Sequence, residues 1–243
     1  MKSQTAALLA LSLAACGEGG TNTAQQAPVA AVAAPAGQDW TQTVARTAEG
    51  YVMGNPSAPI KLVEYGSRLC PTCGAFAREG FQPLVENYVK SGKVSFEFRE
   101  FLVHGPMDMP PALIGTCVGA EPFFPLLEQM FAGQEQFING MQRATPEVTR
   151  AIDAAPPAER FKLMAAAMGL TDFAKQRGVS EGKIDACLSD MGEIDRLTKL
   201  TQAKGPGGDG QVSGTPTFLL NGRVIDGAIS WPQVETALKR AGA

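Results

Sequence analysis

Ile60-Lys61-Leu62-Val63-Glu64-Tyr65-Gly66-Ser67-Arg68-Leu69-Cys70-Pro71-Thr72-Cys73 is the stretch that decides the fold. Its first half alternates, with Ile60, Leu62 and Glu64 on one face and Lys61, Val63 and Tyr65 on the other, so it reads as a strand. Its second half sets a Cys-x-x-Cys pair where a helix begins. From Cys73 onward Phe76, Ala77, Gly80, Phe81, Leu84, Val85 and Tyr88 fall at helical spacing, and Pro83 is expected to kink or break that helix. Pro71 suits the first helical position, where the missing donor is one the first turn cannot use. Two sulfurs on that turn come within bonding range, and the unpaired N–H groups and positive dipole end favour a thiolate. Cys70 is therefore the candidate nucleophile. Cys73, one turn further in, is the candidate resolving thiol for a mixed disulfide.

Other readings of the pair compete. A zinc half-site needs a second ligand pair, but Cys117 and Cys187 stand apart and His104 is the one histidine. Haem attachment needs histidine where Gly74 stands. A structural short-loop disulfide is a third reading, although so tight a ring constrains little of the unfolded chain. No metal or cofactor is expected. His104, in Val103-His104-Gly105-Pro106 just past a strand, reads first as a structural loop residue and second as a catalytic one.

Outward from this core, residues 94–101 form a second strand with Val94, Phe96 and Phe98 on one side. Strand, crossing helix and strand imply a right-handed unit with parallel neighbours. Residues 110–119, 123–137, 158–169, 170–178 and 180–203 read as helices, punctuated by Gly or Pro. Sheet signals return at 217–221, followed by an Asn221-Gly222 turn, a hairpin partner at 223–225 and a last amphipathic helix at 231–240 with Ser230 as N-cap. The order is α/β: a sheet interrupted by a mainly helical insertion at about 105–204. Gly205-Pro206-Gly207-Gly208-Asp209-Gly210 spells a dinucleotide loop, but it follows a helix and no helix follows it, so it reads as a connector.

Lys2 and the short apolar run 6–15 read as a secretory signal, too short for a membrane span. The run ends in Leu13-Ala14-Ala15-Cys16, which resembles a bacterial lipobox with Cys16 as the lipidated residue. An ordinary signal peptide with Cys16 incidental is the alternative. Residues 17–39 hold Ala, Gly, Pro, Gln and Thr with almost no large apolar side chain, which predicts a flexible tether to a domain spanning 40–243. A net charge of −3 with no basic run argues against a nucleic-acid partner.

The chain has five cysteines, and setting Cys16 aside leaves an even number, which suits an oxidising compartment. Keeping neighbours Cys70 and Cys73 together pairs Cys117 with Cys187, closing a loop of about 70 residues. Two buried free thiols are the competing reading. Glu64 shares its strand face with Ile60 and Leu62. It reads either as a buried carboxylate under the cysteine pair, with a raised pKa suited to relaying a proton with Cys73, or as a strand-end glutamate reaching solvent.

Val63-Glu64-Tyr65-Gly66 leading into Cys70-Pro71-Thr72-Cys73, with Gly214-Thr215-Pro216-Thr217-Phe218 and Asn221-Gly222, resembles the DsbA-like thiol:disulfide oxidoreductases, a thioredoxin fold with an inserted mainly helical domain. The resemblance runs from about Met53 to Ala241. It implies a cis Thr215–Pro216 bond against the cysteine pair, with Thr215 backbone groups free to pair with an extended client peptide. It implies exchange of a Cys70/Cys73 disulfide with folding cysteine-containing proteins, as an oxidase reoxidised by a quinone-linked membrane protein. A reductase or isomerase, or a client-binding lipoprotein without turnover, are the alternatives. The dipeptide departs from the Pro-His of strongly oxidising members, which predicts a milder oxidant. DsbC and DsbG carry an N-terminal dimerisation domain, and the tether-like segment before Met53 predicts a monomer instead, extracytoplasmic and held to a bacterial membrane by its lipid.

Overall fold

The computed structural model describes residues 26–243. The expected signal segment, Cys16 and the first part of the expected tether lie outside the described residues.

Among the described residues six strands form one mixed sheet in the order β1-β2-β4-β3-β5-β6. They are β1 (Val44–Arg46), β2 (Tyr51–Met53), β3 (Ile60–Gly66), β4 (Val94–Glu100), β5 (Thr217–Leu220) and β6 (Arg223–Val224). β3 pairs parallel with β4, from Ile60 opposite Val94 to Gly66 opposite Glu100, and the remaining neighbours are antiparallel. The parallel pair is joined by α1 (Pro71–Leu84). β1 and β2, three residues each, are too short for the alternation on which strand recognition rests.

The two faces of β3 divide as their alternation implies. Ile60 and Leu62 enter the main core with Phe76, Phe81, Leu84, Phe96 and Phe98, beneath α1. Val63 and Tyr65 pack on the other side with Phe101, Leu200, Val212 and Leu219. Pro83 does not break α1: the helix runs through it and passes into a π-helical turn, Val85–Val89, with the Lys90 N–H bonded to the Val85 carbonyl. The wider turn carries the chain on while Val85, Tyr88 and Val89 stay buried.

Between β4 and β5 every long element is a helix: α2 (Met109–Cys117), α3 (Phe123–Ala132), α4 (Gln134–Gln142), α5 (Pro146–Ala154), α6 (Pro157–Met168), α7 (Leu170–Lys175), α8 (Glu181–Leu188) and α9 (Met191–Lys204). Two expected helices are each split. Gly133 separates α3 from α4, and Ser189-Asp190 separates α8 from α9, where the Asp190 carboxylate caps the Glu193 N–H at 3.0 Å. α5 was not expected from sequence. The chain closes with α10 (Trp231–Arg240), where Gln233 and Ser230 form a capping box.

Part of the expected tether is docked rather than free. The Val29 N–H donates to the Gly242 carbonyl at 2.7 Å, the Val32 N–H to Ser91 at 2.9 Å, and the Trp40 indole to the Val32 carbonyl at 2.7 Å. Val29 also packs on the main core, so even this small-residue stretch finds backbone partners and some apolar cover. Among the described residues no helix is long and apolar enough to cross a membrane.

Candidate active site

Cys70 is the N-cap of α1, with extended backbone at φ −77° and ψ 116°, and Pro71 opens the helix behind it. Its sulfur lies over the helix mouth, accepting from the Cys73 N–H at 3.3 Å. Cys70 and Cys73 are both free and buried, so the site stands in its dithiol state. Facing them, Thr215–Pro216 is cis, and the Cys70 thiol donates to the Thr215 carbonyl at 3.2 Å. β5 starts directly after this turn and pairs antiparallel with β3, which holds the turn and the cysteine pair at one end of the sheet.

The two thiols are driven apart in acidity. The Cys73 side chain, the Thr215 side chain and the N–H groups of Cys73 and Thr72 pull Cys70 down to about 6 against the cost of its burial. Burial pushes the Cys73 thiol well up, helped by its bond to Cys70 and by the nearby Glu64 charge. One sulfur is suited to attack and the other to hold its proton.

Glu64 is buried at 2% exposure, and its Oε1 has no hydrogen-bond partner. Burial raises its pKa well above the ordinary carboxylate value, and the Cys70 and Glu100 charges add to the shift. Its carboxyl lies on the face of β3 that Ile60 and Leu62 also present, in surroundings that disfavour its charged form. Cys117 on α2 and Cys187 on α8 form a disulfide with Cα atoms 5.6 Å apart, within the helical insertion and apart from the thiol pair. His104 precedes the short helical turn Gly105–Asp108, with Nδ1 3.0 Å from Asp108 Oδ1; the buried Asp108 also accepts from Ser67 Oγ at 2.7 Å. Among the described residues no group of three or more His, Cys, Asp or Glu side chains gathers as a metal site.

Two residues beneath the cysteine loop were not singled out from sequence. Arg68 is fully buried, with Nε donating to Glu100 Oε1 at 2.8 Å and its guanidinium stacked 5.1 Å from the Phe123 ring. Gln134, the first residue of α4, reaches the same loop with its side-chain amide. Neither carried a sequence signal, because isolated Arg and Gln residues are ordinarily surface residues.

A family model described as Thioredoxin matches residues 46–240. A Rickettsia conorii protein named as a protein-disulfide oxidoreductase is 26% identical over 196 residues, 78% of this chain and 59% of that protein. The chain spans less than two thirds of the length of the curated rickettsial relatives it matches, 59% and 56% for two of them. A crystal structure of a protein-disulfide isomerase from Novosphingobium aromaticivorans superposes with a TM-score of 0.74 at 32% identity, over 81% of this chain and 100% of that one. The structure of α-DsbA1 from Wolbachia pipientis superposes with a TM-score of 0.59 at 18% identity, over 86% of this chain and 92% of that one, a likeness of fold. The chain belongs to the thioredoxin family and carries the DsbA-like form of its fold, with a helical insertion between the halves of the sheet.

Proposed function

We propose that this protein is a thiol:disulfide oxidoreductase that passes the Cys70/Cys73 disulfide to cysteines of folding proteins. The observation that carries the reading is the Cys70 sulfur, capping α1 and facing the cis Thr215–Pro216 turn, with a pKa pulled down to about 6. In the oxidised protein a client thiolate attacks Cys70 Sγ, a client–Cys70 bond forms, the Cys70–Cys73 bond breaks, and Cys73 leaves with the electron pair. Glu64 supplies the proton that Cys73 takes up. A second client thiolate then attacks the client sulfur and releases Cys70 as thiolate. The client gains a disulfide and the protein ends as the dithiol.

A thiolate stabilised at Cys70 favours the reduced state of the couple, which makes the disulfide oxidising and supports the oxidase direction. A quinone-linked membrane protein would restore the disulfide. The signal-like N-terminus and Cys16 support an extracytoplasmic, lipid-anchored protein. The isomerase named in the Novosphingobium structure favours a second reading, in which the dithiol is the resting state and client disulfides are reshuffled.

The test mixes oxidised protein with a reduced cysteine-containing model protein and counts thiols on both. Loss of client thiols matched by gain at Cys70 and Cys73 is expected, and Cys70→Ser abolishes it. A reduced client left unoxidised, together with a separate sample of scrambled client rearranged only by the dithiol form, favours the isomerase. Radiolabelled palmitate incorporated by the full chain and lost in Cys16→Ala tests the anchor.

A further inference from the structure

Gln134 is buried at 6% exposure, although its position at the start of α4 would let a glutamine side chain reach water. It turns inward to the loop that precedes α1. Its Nε2 donates to the Arg68 carbonyl at 2.9 Å and to the Cys70 carbonyl at 2.8 Å, spanning the bend that presents the nucleophile. The Cys70 carbonyl also accepts the first helical bond, from the Gly74 N–H at 3.1 Å. One amide from the helical insertion is thus fastened to the residue whose sulfur caps the helix.

Gly74 makes room for that amide. A Cβ at position 74 would stand 2.8 Å from Gln134 Oε1, closer than a carbon tolerates, and the atom it meets is the end of a side chain rather than backbone. A glycine inside a helix otherwise weakens it relative to alanine. Here its missing side chain has a use.

We infer that Gln134 is a positioning residue for the nucleophile: its amide holds the Arg68–Cys70 bend so that the Cys70 sulfur stays over the N–H groups of α1. Both donated hydrogens also place positive charge density beside the Cys70 peptide, which favours the anionic sulfur. The helical insertion thereby does more than cover the sheet; it sets the reactivity of a residue in the thioredoxin core. The inference rests on Cys70 being the nucleophile proposed above.

The pH dependence of Cys70 alkylation by iodoacetamide tests it, with fluorescence-monitored unfolding in parallel. Gln134→Met keeps the bulk and removes both donors, and is expected to raise the alkylation midpoint by roughly half a unit or more. Gly74→Ala displaces the amide without removing it, and is expected to shift the midpoint the same way without loss of thermal stability. The Cys70/Cys73 couple of both variants is expected to become less oxidising in glutathione buffers. An unmoved midpoint in both variants, with or without a fall in stability, overturns the inference and leaves Gln134 a packing residue. If the unaltered protein shows an ordinary thiol at Cys70, the proposed function fails instead.

Discussion

Cys70 Sγ and the Thr215 carbonyl oxygen face each other across 3.2 Å, so the nucleophile and the turn that would align a client strand share one contact. The contact is possible because β5 returns antiparallel to β3 and delivers Thr215 to the end of the strand that leads into Cys70. A client cysteine held against that turn is within reach of the sulfur it must attack.

The acidity of Cys70 has a stability consequence of definite sign. Its folded pKa of about 6 lies below the ordinary thiol value of 9.0, so above 6 the folded reduced protein binds fewer protons than the unfolded chain. The contribution of this group to the stability of the reduced form therefore grows as pH goes from about 6 to about 9, and is lost as pH falls through 6. The difference in urea unfolding free energy between the reduced protein and Cys70→Ser measures it. That difference should widen in favour of the wild type across this range.

Glu64 has the opposite slope. Its carboxyl holds its proton in the fold above the ordinary value of 4.5, while the unfolded chain has already lost its own, so this group's contribution takes stability away as pH rises past 4.5. Glu64→Gln removes the titration. The variant is expected to gain on the wild type steadily from about pH 4.5 upward, and to slow resolution of the mixed disulfide at neutral pH. Unfolding free energies at several pH values check the first effect, and stopped-flow exchange with a model thiol checks the second.

How far the sequence spoke depends on the length of each pattern. β3 and α1 were legible because seven alternating residues and a long apolar stripe are periodic enough to stand alone, and because Pro71 and the cysteines mark their junction. The insertion was legible as helical but not in its divisions, since Gly133 and Ser189-Asp190 break helices whose apolar spacing runs on across the gap. β1 and β2 gain their strand identity from pairing with β4 rather than from any local pattern. At the site, the thiol pair was visible as residue types at fixed spacing, whereas the cis turn at Thr215–Pro216 came only with the family resemblance, since the residues alone read as a trans proline opening a strand. Arg68 and Gln134 were not visible, because their burial is created by groups that only the folded chain assembles around them.

Arg68 illustrates that last point and can be tested. Its guanidinium is sealed between Phe98 and Phe123, at 6.0 and 5.1 Å, and a Cβ on Gly115 would overlap it, so α2 carries glycine where the ion must fit. Arg68→Met leaves Glu100 buried without its cation, a change that costs about 3–5 kcal/mol when a buried pair is broken from one side. Glu100→Gln added to Arg68→Met should recover much of the loss, because no charge is then stranded. Urea midpoints for the two variants decide it: equal losses would mean that packing, not the ion pair, is what Arg68 contributes.

The Cys117–Cys187 bridge ties α2 to α8 across a sequence separation of 70 residues. Loop closure of that size restricts the unfolded chain by about 4 kcal/mol in the chain-entropy model, so the paired Cys117→Ala, Cys187→Ala variant is expected to lose stability on that order. α2 is also fixed to the sheet, since the Tyr51 hydroxyl donates to the Thr116 carbonyl at 2.6 Å next to the bridge. The fold of the insertion should therefore survive in the variant, with a lower urea midpoint and unchanged far-ultraviolet circular dichroism. The Cys70 alkylation profile should also stay where it is, because none of the groups that lower its pKa belongs to α2 or α8. A shifted profile would show that the bridge reaches the redox pair through the helical insertion.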